Sequence, residues 1–218
     1  MIETVAAAVL LDMDGTLVDS TAVVERLWRE WSDSHGVDPA RTLAIVHGRQ
    51  GKDSMALLLP DRPHEVNIAE NEQLLARETV ELDGVVEIPG ADALLAQLAG
   101  LRHALVTSAT RQLAEARMGA AGVRMPPVAV TAEDVTFGKP DPEVFLAAAR
   151  LLRVDPAACV VIEDSENGIA AGLAAGMRVI GVGPHAAAHG PTWAVDSVAD
   201  IQAEAAGTDI RLTLTTRH

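Results

Sequence analysis

The sequence predicts an α/β fold: a doubly wound parallel sheet into which a small α-helical domain is inserted. Three observations predict it. Short β-branched runs alternate with longer helical patterns, as in parallel strands joined by crossover helices. The first apolar run, Val5 to Leu11, stops at two acids one residue apart, Asp12 and Asp14, with Gly15 and Thr16 directly after. The alternation then lapses over residues 17–86, where no convincing buried strand is found.

Taken in order, a first strand over 6–12 runs into the acid pair. A core strand has no structural use for two adjacent acids, because unpaired buried charge is costly. At the carboxyl edge of an open α/β sheet, where ligands bind, such a pair is a candidate site for a hard divalent cation. Residues 17–86 read as helices over about 19–35, 39–46, 51–58 and 63–81. This is too long for a loop, so an inserted helical domain is expected. It returns at Glu87-Ile88-Pro89-Gly90, a candidate hinge, and lies where a lid would. The core, 1–16 plus 87–218, resumes with helix 91–100, strand 103–108, helix 110–121 and strand 127–131. Helix 141–152, strand 158–163, helix 166–175 and strand 178–182 follow, then a weaker strand near 193–196 and a helix over 198–205. Residues from about 206 to 218 are expected to be a frayed tail or a short final strand.

The bulk numbers narrow the function classes. The 218 residues, 49% hydrophobic, suffice for one sizeable core or a core plus a smaller domain. A formal net charge of −14 argues against nucleic acid as a partner, since backbone binding needs clustered Lys and Arg. Only two lysines are present, Lys52 and Lys139. The single cysteine, Cys159, excludes an internal disulfide framework and fits a reducing compartment. It opens an apolar run and reads as a buried strand residue. No basic stretch precedes the first apolar run, so this run reads as a strand rather than a leader. No run approaches the roughly 18 apolar residues of a membrane span. A soluble cytoplasmic protein without a membrane partner, monomeric or weakly homodimeric, is expected.

Four strand ends carry polar chemistry. They are Asp12 with Asp14; Thr107-Ser108 after Leu105-Val106; Lys139 within Gly138-Lys-Pro-Asp-Pro142; and Glu163-Asp164-Ser165 after Val160-Val161-Ile162. Parallel strands bring their carboxyl ends to one side, so these groups can converge. Each has a plainer reading alone. Thr107 or Ser108 could cap the next helix, Lys139 could be solvated, and Glu163-Asp164 could complement a helix dipole. Four coincidences at matching positions are harder to accept than one site.

This ordered set resembles the haloacid dehalogenase-like hydrolases, over essentially the whole chain. Their four motifs are matched by Asp12-Met13-Asp14-Gly15-Thr16, Thr107, Lys139 and Glu163-Asp164, and the insert is similar to that family's small helical cap. The run from Glu163 to Gly176 resembles the subgroup of β-phosphoglucomutase and the sugar and polyol phosphatases. Within it the pattern is most similar to glycerol-, 2-deoxyglucose- and hexitol-phosphate phosphatases. The resemblance implies a Rossmann-like core and a Mg²⁺-dependent phosphatase acting on a small phosphorylated sugar or polyol. Asp12 would be the nucleophile and Asp14 the general acid and base. Thr107, Ser108 and Lys139 would bind the phosphoryl group, and Asp12, Asp14, Glu163 and Asp164 would form the metal site.

Asp14 separates subtypes, since the family's dehalogenases and phosphonatases usually lack an acid there. It thereby also speaks against Lys52 as the Schiff-base lysine of a phosphonatase. Within the insert, His47-Gly48-Arg49-Gln50-Gly51-Lys52-Asp53 resembles the subgroup's specificity loop. His47, Gly48, Arg49 and Lys52 are thus candidate substrate contacts. The active-site His that the mutase carries on its first cap helix aligns with Val24, which favours water as acceptor over mutase chemistry. Trp28 and Trp31 read as core of the insert, and His35, His64 and His103 as surface or strand-edge residues. A non-catalytic sugar-phosphate-binding protein is the remaining alternative, against which the intact acid set argues.

Overall fold

The computed structural model describes residues 1–215. In chain order it has β1 (Ile2–Ala6), β2 (Ala8–Leu11), β3 (Val18–Asp19), α1 (Thr21–His35), α2 (Pro39–Val46), α3 (Gly51–Leu58), α4 (His64–Val80) and β4 (Val86–Glu87). Then come α5 (Ala91–Gln97), β5 (His103–Val106), α6 (Arg111–Ala121), β6 (Ala129–Val130), α7 (Glu143–Leu152) and β7 (Cys159–Glu163). The chain closes with α8 (Glu166–Ala174), β8 (Arg178–Val182), β9 (Trp193–Val195), β10 (Ile201–Ala206) and β11 (Asp209–Leu214).

The main sheet has six parallel strands in the order β6-β5-β2-β7-β8-β9. Its central strands are buried on both faces, as parallel sheets covered by helices must be. Alternate side chains serve two cores. Val9, Leu11, Val160 and Ile162 face one, with α5 and α6; Ala8, Leu10, Cys159 and Val161 face the other, with α7 and Ile169 of α8. The order doubles back at β2, so the crevice at its carboxyl end is the switch point where such sheets bind ligands.

Between β3 and β4 stand the four helices α1–α4, close to the expected bounds. The insert is rooted by a short antiparallel pair, Val18 with Glu87 and Asp19 with Val86, in a stretch read as lacking strands. Two residues are too few to leave a periodicity. Trp28 and Trp31 are buried against each other, edge to face, as expected of insert core.

The amino- and carboxyl-terminal regions correct two expectations. The strand expected over 6–12 is β2 alone, Ala8–Leu11, and Ala6 ends a separate strand, β1, which leaves the main sheet and pairs with β11. Residues 198–205, read as a helix, form a single 3₁₀ turn, Val198–Asp200, and then strand β10. Alanine-rich composition favours helix. Here tertiary packing overrides it, because Ile201 and Ala203 alternate inward with Gln202 and Glu204 outward. Beyond them a two-residue loop, Gly207–Thr208, closes a hairpin to β11, with Gly207 at the left-handed φ of 70° such loops require. Of the two expectations for 206–218, a frayed tail or a short final strand, the strand is found as β11, and residues 216–218 lie outside those described. His103, read as a surface or strand-edge residue, is buried at the start of β5. No helix among the described residues is long and apolar enough to cross a membrane.

Candidate active site

Four strand ends meet at the carboxyl edge of the sheet. β2 delivers Asp12, β5 delivers Thr107, β7 ends in Glu163 and Asp164, and the loop after β6 brings Lys139. Lys139 is 2% exposed. Its Nζ pairs with Asp12 Oδ1, donates to the Val106 carbonyl at 3.1 Å and lies 3.4 Å from Glu163 Oε2. The plainer reading of a solvated lysine is therefore excluded. Thr107 and Ser108 are not helix caps either. Thr110 caps α6 by accepting from Leu113 N, while Thr107 Oγ1 accepts from Ala109 N and stays buried in the site.

Asp12, Glu163 and Asp164 each offer an oxygen within 4.8 Å of the others. Burial first, with the Glu163 and Asp14 carboxylates beside it, pushes Asp12 up to about 7 against the pull of Lys139. Burial and the same crowding raise Asp164 well above the usual carboxylate range. Lys139 keeps its proton above its ordinary range, because Asp12 and Glu163 outweigh the burial that would lower it. Three carboxylates thus face one ammonium, a donor set of hard oxygens with excess negative charge that fits a divalent cation. Within the set, Glu163 is tied inward. Its Oε1 accepts from Asp164 N at 3.0 Å and Ser165 N at 3.2 Å. Asp164 accepts from Thr16 Oγ1 at 3.2 Å. The turn that carries Asp14 must be glycine at 15: its φ is 87°, and a Cβ there would stand 2.0 Å from Asp164 Oδ2.

Asp14 sits beside this cluster with both oxygens held. Oδ1 accepts from Ser20 Oγ at 2.7 Å, and Oδ2 from Arg117 Nη1 at 2.8 Å. Arg117 Nη2 donates in turn to Glu78 Oε2 on α4 at 2.9 Å. A buried guanidinium of the core therefore bridges the acid pair and the insert. The motif reading missed Arg117, Glu78 and Ser20. A signal for two of them was present: Arg117 stands among Leu113, Ala114 and Met118 on the buried face of α6, and Glu78 one turn beyond Leu74 on that of α4. Opposite charges on two apolar faces point to each other.

A cavity of about 140 Å³ opens beside Asp12 and Asp14. The core lines it with Thr107, Ser108, Leu113, Arg117 and Asp164; the insert lines it with Val24, Trp28, residues 46–49, Gly51 and part of α4. Of the predicted loop contacts, His47, Gly48 and Arg49 reach the cavity, and Lys52 is not among its lining residues. The loop is also clamped to the core. Asn167 donates to the His47 carbonyl at 3.1 Å and accepts from Arg49 Nη2 at 2.9 Å, while Ser108 Oγ donates to the Gly48 carbonyl at 3.3 Å.

The family model of haloacid dehalogenase-like hydrolases matches residues 6–176. Hexitol phosphatase A of Escherichia coli (strain K12) is 44% identical over 175 residues, 79% of this chain and 81% of that protein. Glycerol-1-phosphate phosphohydrolase 2 of Saccharomyces cerevisiae is 34% identical over 186 residues, 80% of this chain and 74% of that one. Among solved structures, β-phosphoglucomutase from Clostridium difficile shares the fold with a TM-score of 0.80 at 22% identity, over 90% of this chain and 93% of that one. The converging strand ends and a family match across most of the chain lead to one conclusion: the protein belongs to the haloacid dehalogenase-like hydrolases.

Proposed function

We propose that the protein is a Mg²⁺-dependent phosphatase of small sugar or polyol monophosphates that works through an aspartyl phosphate. The observation that carries this reading is the buried Lys139–Asp12 pair with Asp14 beside it at the mouth of a cavity. The relatives named as hexitol and glycerol phosphatases support the substrate class.

In this reading, Asp12 attacks phosphorus, and the bond from phosphorus to the alcohol oxygen breaks. Asp14 gives that oxygen its proton. Water then attacks the aspartyl phosphate while Asp14 takes the proton back, releasing phosphate and restoring Asp12. Lys139, Thr107 and Ser108 hold the phosphoryl oxygens, so positioning and electrostatics provide most of the acceleration. Asp12, Asp164 and the Asp14 main-chain carbonyl would hold the Mg²⁺, which would supply the charge that lets a dianionic ester approach a carboxylate. Glu163, bonded to the amides of Asp164 and Ser165, shapes the loop that carries Asp164. Residues 17–86 act as a cap over this site, with the β3–β4 pair as hinge. Val24, apolar and on the cavity wall, offers no acceptor or base for a mutase cycle and supports water as acceptor.

Purified protein with Mg²⁺ is expected to hydrolyse p-nitrophenyl phosphate and polyol monophosphates. Asp12→Asn, or excess EDTA, is expected to reduce this to background. Hydrolysis that persists in Asp12→Asn overturns the mechanism.

A further inference from the structure

The proposed nucleophile and the proposed proton carrier are held by different parts of the chain. Asp12 is held by the core: Oδ1 by Lys139 Nζ, and its backbone N–H by the Ile162 carbonyl at 3.0 Å. Asp14 is held with the help of the insert. Oδ1 accepts from Ser20 Oγ, just ahead of α1, and Oδ2 from Arg117 Nη1, while Arg117 Nη2 donates to Glu78 of α4. Arg117 Nε is buried and makes no hydrogen bond among the described residues. The two carboxylates are therefore the hydrogen-bonding partners that orient the guanidinium.

Stability alone does not call for this arrangement, because apolar residues of similar volume often replace a buried ion pair at no cost. The way the guanidinium is shared is more informative. Facing a single carboxylate, an arginine commonly engages both oxygens in a two-pronged pair. Here Glu78 occupies the second prong, so Arg117 reaches Asp14 through Oδ2 alone. Oδ1 is left with a neutral hydroxyl, a weaker partner than a cation. Asp14, Ser20, Arg117 and Glu78 all line the cavity where the ester would sit.

We propose that Glu78 is a positioning residue for proton transfer. By holding Nη2 it keeps the contact of Arg117 with Asp14 one-pronged and leaves Oδ1 to serve the leaving oxygen. Oδ1 gives its proton to the alcohol oxygen as the bond from that oxygen to phosphorus breaks. It takes a proton from water as the aspartyl phosphate is cleaved. Without the Glu78 charge, both prongs of Arg117 turn to Asp14 and occupy both of its oxygens. Proton transfer is then impaired, while the core groups that hold the phosphoryl oxygens stay in place. Glu78 belongs to the insert, so proton transfer depends on the seating of α4 beside α6. This rests on the phosphatase reading and adds to it the residue that sets its acid and base.

The test uses p-nitrophenyl phosphate and phenyl phosphate, esters of similar shape whose leaving oxygens differ in basicity. Phenoxide is the more basic and depends more on receiving a proton as it leaves. Wild type, Glu78→Gln, Arg117→Lys and the double variant are assayed with Mg²⁺, with folding checked by thermal unfolding. Glutamine keeps the shape of Glu78 and leaves Arg117 paired with Asp14, so the fold is retained. Glu78→Gln is expected to lower kcat/KM for phenyl phosphate at least roughly tenfold more than for p-nitrophenyl phosphate. A lysine has no planar fork, so adding Glu78→Gln to Arg117→Lys is expected to change that ratio by less than about twofold. A loss in Glu78→Gln that is the same for both esters to within about twofold overturns the proposal. An equal shift of the ratio in the Arg117→Lys background overturns it as well, because Glu78 would then act without Arg117. A wild type inactive on both esters overturns the phosphatase reading instead.

Discussion

Arg117 joins the chemistry to the insert through two hydrogen-bonded ion pairs. Its side chain is 4% exposed, so its charge cannot be left to solvent. Removing one partner of a buried pair leaves the other uncompensated and costs about 3–5 kcal/mol. Arg117→Ala is expected to lower unfolding free energy by an amount of that order in urea titrations. It is also expected to reduce kcat more than it raises KM, because Asp14 loses one of its two holders. Unchanged stability would mean the two ion pairs contribute little. At this scale the sequence was legible where polar groups sit at strand ends: Asp12, Asp14, Thr107 and Asp164 stand where their apolar runs stop, while Lys139 was legible as one of only two lysines, in a turn-rich segment. Arg117 and Glu78 were less legible because each lies inside a helix. There an isolated charge on an apolar face has meaning only once the opposing helix is known.

Two elements are held in place by single residues. α8 begins against Glu163, and at Gly168 an added Cβ would stand 0.9 Å from Glu163 Oε2. Gly168→Ala is expected to push Glu163 from its place, destabilise by about 1–3 kcal/mol and weaken Mg²⁺ binding, read by denaturation and by metal titration. In the insert, Glu70 of α4 accepts from Arg62, Trp31 Nε1 and His35, tying α4 to α1. The Arg62 bond above all, then those from Trp31 and His35, holds the Glu70 carboxyl at about 2 against the effect of burial. A carboxyl depressed on folding contributes stability that is present above its unfolded value and lost as pH falls through the folded one. The thermal midpoint is therefore expected to decline between about pH 4.5 and 2, less steeply in Glu70→Gln, as monitored by circular dichroism. Among the elements, helices with clear apolar stripes and fully buried strands could be read directly. β10 could not, since its alanines favour a helix until β11 offers a ladder partner.

For the molecule as a whole, the proposed Mg²⁺ site would link metal binding to folding. An ion that binds the folded state alone stabilises it by about 2.7 kcal/mol at a hundredfold excess over Kd, roughly 5–10 °C in Tm for a chain of this size. Mg²⁺ is expected to raise Tm on that scale by calorimetry, EDTA to reverse the rise, and Asp164→Ala to abolish it. Cap motion has its own measurement: solution scattering with and without a phosphate analogue is expected to show a more compact particle when the analogue is bound, and identical profiles would rule the motion out. The sequence by itself determined the parallel core, the place of the insert and the acids and lysine at the strand ends. Period, burial and turn chemistry are local properties that adjacent residues record. Only the tertiary structure decided that the two termini build a separate antiparallel sheet and that Arg117 bridges Asp14 to Glu78. It alone also brought one face of α4, not just the loop before α3, to the wall of the cavity. Those are contacts between residues far apart in the chain, and a distant partner leaves no period in the sequence around either one.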